Sequence, residues 1–461
     1  MYEKGLFERM SDDDIRFHLE VERAEVNDPV RQGWNETTLL IQAHSLEMVQ
    51  MLLAKGADVN AVDGDGRNAL CHDDKGAAAI QAIVDAGADV NKAADDGTTP
   101  LHFWAHQAAE DAGEICRILL KSGADVSARD DRGRTPVCFA ATAEAVKILA
   151  EAGADLNAAS DDDMTPLMYA ANGDVVRALV AAGADLHLKD TNGREAIHLV
   201  SNRDAAEAML VLGSDPNLKD NYGKRPLCVV SDAGAAEALI AAGAEVRAKD
   251  EDGLEPIHFC TGADMIRVLV SHGADVNARD GNGKTPLMNC WSMSEAEALI
   301  QAGADVNARD DDGVSVLRHA TDDSLVDFFA QSGASVDPEK DKDGLMHTQG
   351  MPSRLAMMLI EGGADIHIRN GWGLTPLMGA GSPEVVRALL AKGADLEARD
   401  NCGQTALMMA VVFAPEAAKA MLDAGANANA KDDDGKTALD HAEAGGCWDE
   451  ELKERLKAAM K

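Results

Sequence analysis

Aromatic residues are scarce in this chain, at 3% of 461 positions, although apolar residues reach 46%. The apolar content is therefore mostly small and aliphatic, which suits a thin, divided core. A single hydrophobic core stops growing at roughly 250–300 residues, so this length predicts several domains or a repeat architecture. Cations are also short, 43 against 80 acids, for a net charge of −37. A polyanion gains nothing from the counterion release that drives nucleic-acid binding, and anionic membrane surfaces repel it. No apolar run approaches the ~20 residues needed to span a bilayer. The eight cysteines include no Cys-x-x-Cys pair, which disfavours a zinc ribbon or redox motif and points to free thiols in a reducing cytoplasm. The segment Met1 to Arg9 meets its acids too early for a secretory signal. Nucleic-acid reader, membrane protein and disulfide scaffold are thereby set aside.

What the chain does have is a repeat. A Gly-Ala-Asp-Val tetrad, or a close variant, begins at Gly56, Gly87, Gly123, Gly153, Gly183, Gly213, Gly243, Gly273, Gly303, Gly333, Gly363, Gly393 and Gly425, with intervals of 31, 36, nine of 30, then 32. A second signature leads it at a near-constant offset, as in Thr99-Pro100-Leu101-His102, Thr135-Pro136-Val137-Cys138, Thr165-Pro166-Leu167-Met168, Thr285-Pro286-Leu287-Met288 and Thr375-Pro376-Leu377-Met378. Each position has a physical task. Thr165 can cap a helix by accepting from an early N–H, and Pro166 at the first helical position lacks only an orphaned donor. Leu167, Ala170 and Ala171 supply a narrow apolar stripe. Asn172-Gly173 breaks this helix, and a second starts at Asp174 with apolar spacing near 3.6. Gly183 can end it in the left-handed region, and Asp190 with Gly193 can brace a turn. The unit reads as helix, short turn, helix, hairpin.

This unit resembles the ankyrin repeat, whose pattern is Asp-x-x-Gly-x-Thr-Pro-Leu-His-x-Ala followed by a second helix ending Gly-Ala-Asp-x-Asn. The resemblance runs from about residue 36 to 445 and implies fourteen units, starting at Thr38, Asn68, Thr99, Thr135, Thr165, Glu195, Arg225, Glu255, Thr285, Ser315, Met346, Thr375, Thr405 and Thr437. The expected fold is an all-α, helix-turn-helix solenoid with β-hairpin loops, a curved, elongated single array. Residues 1–35 are expected to form an N-terminal helical cap from Ser11-Asp12-Asp13-Asp14 through Ile15, Leu19, Glu22 and Arg23. Residues 36–435 form the solenoid, and 436–461 a C-terminal capping repeat and helix. Ankyrin repeats usually run 33 residues. The 30-residue interval places the missing residues between the helices near Asn172-Gly173-Asp174, predicting shortened helices or a clipped loop with the hairpins unchanged. The Thr99 unit instead carries an insertion, His106 to Gly113.

Several motifs could carry chemistry. Gly283-Lys284-Thr285 and Gly435-Lys436-Thr437 mimic a phosphate loop, but Ala278 stands where the motif needs glycine, and both copies fall at the hairpin-to-helix junction. Asp337, Glu339, Asp341, Asp343 and Gly344 mimic a calcium loop whose final glutamate would fall at Gly350, so a solvated hairpin tip is the better reading. Asp161-Asp162-Asp163 and Asp432-Asp433-Asp434 are turn residues. His102 and His106 have metal-capable spacing, yet no Cys or acidic ligand accompanies them. His102, His198 and His258 occupy the family's Thr-Pro-Leu-His position, which implies hydrogen bonds between units. Cys71, Cys138 and Cys228 replace that histidine, and Cys260 and Cys290 replace a buried alanine. No nucleophile, base and orienter assemble. The chain reads as a non-enzyme with no metal and no cofactor. A basic ladder, Arg129, Lys189, Lys219, Lys249, Arg279, Arg309, Arg369, Arg399 and Lys431, precedes the hairpin acids and is expected to neutralise their stack, with an anion-binding groove as the alternative.

In the family, the two variable tip residues of Asp-x-x-Gly are frequent partner contacts. Most tips here are polar, but Asn221-Tyr222 and Gly371-Trp372 are not, and Cys402 occupies the next tip. The candidate partner contacts are Tyr222, Trp372, Trp291, Trp104, His106 and Cys402. Tyr222 and Trp372 divide evenly between partner contact and packing on a neighbouring hairpin. Core packing is favoured for Trp104 and Trp291, and for Phe103, Phe139, Tyr169 and Phe259. The leading expectation is a monomeric, cytoplasmic, non-catalytic scaffold that binds a protein partner on its concave and hairpin surface. An acidic inhibitor or immunity-type protein sequestering a basic toxin or effector is the alternative. A metal-binding or enzymatic protein hidden near the insertion is a third.

Overall fold

The protein was analysed as a computed structural model that describes residues 10–20, 25–27, 30–32, 35–337, 351–445 and 449–460. The chain forms two compact units, Met1–Val246 and Arg247–Lys461. In each, second helices of successive repeats pack side by side in chain order, as Ala143–Glu151 does on Gly173–Ala181 and Ala263–Ser271 on Met293–Gln301. Among the described residues the elements are helical apart from one antiparallel strand pair, Val30–Gln32 with Asn35–Thr37, and two isolated bridges, Val62 with Asn68 and Arg309 with Ser315.

The repeat at Thr165 shows how local sequence builds the unit. Pro166–Tyr169 is a single 3-10 turn, closed by the Met168 N–H on the Thr165 carbonyl at 3.0 Å. Ala170 then swings to extended backbone, and Asn172 caps the second helix, its side chain accepting from the Val175 N–H. That helix, Gly173–Ala181, buries Val175, Val176 and Leu179 and stops at Gly183, which takes a φ of +109°. Asp190 closes the hairpin by accepting the Asn192 and Arg194 N–H groups on one oxygen, each at 2.9 Å. Its other oxygen takes the Arg194 side chain, and Gly193 lies at φ +76°. Burial alone would raise the Asp190 pKa, but these N–H and guanidinium donors hold it below the usual carboxylate range.

Two details differ from the sequence reading. Asn172-Gly173 does not break the first helix; the break comes at Ala170, and Gly173 begins the second helix. Glycine is required at 173 because a Cβ would sit 2.5 Å from the Asp204 carboxylate and 2.6 Å from its carbonyl. Nor do Thr135, Thr165 and Thr285 cap their turns through the side chain. In a 3-10 turn the early N–H groups are spent on i→i+3 bonds, and the Thr285 hydroxyl is buried without a partner.

The missing three residues come out of the first helix. In the 30-residue repeats it is a four-residue turn, as in Pro136–Phe139, Pro166–Tyr169, Pro286–Asn289 and Pro376–Gly379. Where the interval is 36 or 32, a true α-helix survives: Pro100–His106 and Ala406–Phe413. Second helices keep nine or ten residues in both kinds. The hairpins are turns rather than ladders, joined between repeats by one backbone bond, such as Asp161 N–H to the Arg132 carbonyl at 3.0 Å. In the Asn68 unit, turns replace the first helix altogether.

The basic ladder does something other than neutralise acids. Arg129 donates to the Gly133 and Ala159 carbonyls at 2.7 and 2.8 Å, and Arg369 to those of Gly373 and Arg399 at 3.0 and 2.7 Å. Arg399 repeats the pattern on Gly403 and Lys431. Each guanidinium thus clips its own turn to the next one. Arg279 instead reaches an acid, Asp311 at 3.0 Å. At the ends, the helix Asp12–Glu20 docks through Asp12, which accepts the His44 and Ser45 N–H groups. The helix Glu450–Ala459 buries Leu452 and Leu456. The calcium-loop mimic from Glu339 to Gly350, the repeat start at Met346 and the pair Glu22-Arg23 lie outside the described residues.

Candidate functional site

The Thr-Pro-Leu-His histidine does structural work. The Thr99 N–H donates to His102 Nδ1 at 3.1 Å, and His102 Nε2 lies 3.0 Å from the Arg134 carbonyl of the next repeat. His198 and His258 reach the Leu218 and Ala278 carbonyls in the same way. With both ring nitrogens engaged, His102 is not free to join His106 in holding a metal. Burial pushes the Cys71, Cys116 and Cys290 thiols up to about 12, so they remain protonated. Cys402 is exposed at its tip.

Five described aromatic residues are strongly exposed, Phe17 and Phe413 on helices and Tyr222, Trp291 and Trp372 on loops. Tyr222 and Trp372 stand on hairpin tips at 58% and 74% exposure. Their backbones are held, because each N–H bonds to its turn acid or amide, Asp220 or Asn370, at 2.9 Å. The Trp372 carbonyl also accepts the Asn401 N–H of the next tip. Trp291, for which core packing was favoured, is instead 79% exposed. The four-residue turn ends before it, so its side chain leaves the repeat instead of entering it. The buried Glu295 carboxylate accepts the Trp291 and Ser292 N–H groups on one oxygen and the Gly262 N–H on the other. An exposed indole is thereby fixed on a rigid backbone.

Trp104 is the opposite case and is removed from the candidate contacts. It is 1% exposed and donates Nε1–H to the Leu70 carbonyl at 2.6 Å. The longer helix Pro100–His106 carries it one turn further into the preceding repeat. His106, on the same helix, is exposed and lines a cleft of about 250 Å³ with Arg67, Asp96, Thr98, Phe103, Gln107 and Phe139. The cleft is the step between a full helix and the shortened turn beside it. Phe103, Phe139, Tyr169 and Phe259, expected in the core, are only half-buried. The Arg134 guanidinium lies 4.4 Å from the Phe139 ring and 6.0 Å from that of Tyr169. The position is half-buried whatever the helix length, because Phe103 lies on the seven-residue helix and the other three on four-residue turns.

A family model for ankyrin repeats, built on three copies, matches overlapping stretches at residues 37–126, 73–160, 105–190, 195–280, 227–310, 345–432 and 378–449. The chain belongs to the ankyrin-repeat family. No curated protein matches the sequence at a significant level. Ankyrin repeats generally mediate protein–protein interaction, and no helix among the described residues is long and apolar enough to cross a membrane. In this ankyrin array the 30-residue period leaves the hairpins intact and shortens the first helix, so surface chemistry is concentrated on the tips and on the loops that follow that helix.

Proposed function

We propose that the chain is a non-catalytic scaffold that binds a protein partner through its hairpin tips and first-helix face. The carrying observation is the exposure of Tyr222, Trp372 and Trp291 on backbones fixed by hydrogen bonds. Large aromatics with little packing return are enriched at interface hot spots, and a pre-ordered backbone lowers the entropy cost of using them. His106 and Cys402, both exposed, serve as further contacts. Residues 1–35 and 436–461 act as end caps, supported by the Asp12 bonds and by Lys419 lying 2.8 Å from Asp449.

Acidic sequestration of a basic protein remains the second reading, supported by the net charge of −37 and by the long-range attraction such charge exerts. Partner capture on immobilised protein, eluted in salt steps, separates the two. A salt-resistant partner lost from a Tyr222→Ser/Trp372→Ser column supports contact through the tips. A basic partner released from both columns at modest salt supports sequestration and removes the tip sites.

A further inference from the structure

In a chain this acidic, one cation stands out. Lys284 is half-buried and makes no ion pair with a described residue, whereas Arg134 and Arg194, at the same position of their repeats, lie 2.7 Å from Asp130 and Asp190. Lys284 lines a cleft of about 210 Å³ with Met288, Asn289, Cys290, Trp291, His319 and Thr321. No carboxylate is among those lining residues. Cys290 is held protonated by burial and donates to the Leu287 carbonyl at 3.1 Å. His319 faces Asp310 at 3.4 Å, and burial, helped by Lys284 and Arg318 against the opposing pull of Asp310, lowers its pKa and favours the neutral ring.

We propose that this cleft docks an acidic segment of the partner, an Asp or Glu side chain beside an apolar or aromatic one. The carboxylate takes Lys284 as its charged donor, with the Asn289 amide and Thr321 hydroxyl as neutral ones. The neighbouring apolar side chain covers the indole of Trp291, a residue that is 79% exposed and whose backbone N–H donates to Glu295. Charge complementarity selects the occupant: a half-buried ammonium without a counter-ion gains most from a carboxylate that arrives with its own desolvated surface. This inference rests on the protein-binding reading above and deepens it. It also assigns this site the opposite sign from the basic partner that net charge alone suggests.

The test uses the full chain and three fluorescein-labelled peptide pools, ten residues long with randomised flanks, that differ only in a central Glu-Phe, Gln-Phe or Lys-Phe. Fluorescence anisotropy is expected to show the Glu-Phe pool binding about tenfold tighter than either other pool, the size of one charged hydrogen bond. Lys284→Gln and Trp291→Ser should each abolish that preference, and Tyr222→Ser should leave it intact. Both variants change accessible side chains, and unchanged thermal melts would confirm their folds. Absence of binding by every pool, tighter binding of the Lys-Phe pool, or a preference that survives Lys284→Gln overturns the proposal. So does full competition by millimolar free glutamate or inorganic phosphate, which would mark a small-anion site. The tip-variant columns test the scaffold reading separately, so either can fail while the other stands.

Discussion

The repeat that begins at Thr99 and the one that follows at Thr135 share a signature, a hairpin and a second helix, yet their surfaces differ. In the first, seven residues of α-helix carry Trp104 into the core and leave His106 exposed. In the second, four residues of 3-10 turn end before Ala140, and Ala141, the counterpart of the fully buried Ala105, is only half-buried. One helical turn is about 5.4 Å, enough to decide whether the end of the first helix reaches the neighbouring repeat. Shortening the repeat therefore keeps the hairpin register and trades core for surface.

The largest test of that contrast is Trp104→Ala. Loss of a buried indole and its bond to Leu70 should destabilise the protein by about 3–5 kcal/mol in denaturant unfolding. A cost below 1 kcal/mol would mean that the longer helix is not anchored by this residue. The second test compares glycines at the starts of two second helices. Gly173→Ala forces a Cβ against the Asp204 carbonyl and should cost about 1–3 kcal/mol despite alanine's better helix propensity. Gly113→Ala meets only the side chains of Glu144 and Ile148 at 3.3 Å, which can shift, and should be near neutral or slightly stabilising.

A smaller effect separates the histidine repeat from its sulfur-bearing neighbours. Burial lowers the pKa of His102 below 6.5, opposed by the Arg134 carbonyl bond and by Asp130 and Asp96, with Arg134 acting in the same direction as burial. His198 is lowered for the same first reason. The folded state then binds fewer protons than the unfolded one. The contribution of these histidines is fully present above about 6.5 and is lost as pH falls through the lower folded values. Tm should accordingly fall on mild acidification, before the carboxylates titrate. His102→Met, which copies Met168 of the Thr165 repeat, should make that fall shallower. An unchanged slope would remove His102 as a cause. The smallest expected effect is the complement of the first: Trp291→Ser and Trp372→Ser should change stability by no more than about 0.5 kcal/mol each. In acrylamide quenching these two indoles should be accessible and Trp104 protected.

Much of the fold was legible from residues that act on near neighbours. The Asp190 turn and the left-handed Gly183 and Gly193 follow from short-range grammar, the His102 bond to the next repeat was implied by the family resemblance, and the structure contains each. Exposure was less legible. Trp104 and Trp291 both sit at the end of a first helix, five and six residues after the Thr that opens it. The Trp104 position is buried in short-turn repeats too, as at Ala140 and Cys290, whereas the Trp291 position is buried at Ala105 and Val411, where the first helix completes a second turn, and the period of 30 locates the loss only to the region between the helices. The basic ladder was visible as a pattern but not in its task, because the carbonyls it clips belong to turns about thirty residues away.

Sequence alone sufficed for the repeat unit, its register and the family, because capping, turn formation and helix termination are settled within a few residues of each signature. Only the packed structure decided that Trp104 is core and Trp291 is surface, that the step beside Pro100–His106 opens a cleft, and that the Lys284 side chain makes no ion pair with a described residue where those of Arg134 and Arg194 do. Those outcomes depend on the side chains that the adjacent repeat brings alongside. That placement is set by how far each first helix extends, which no single repeat encodes about its neighbour.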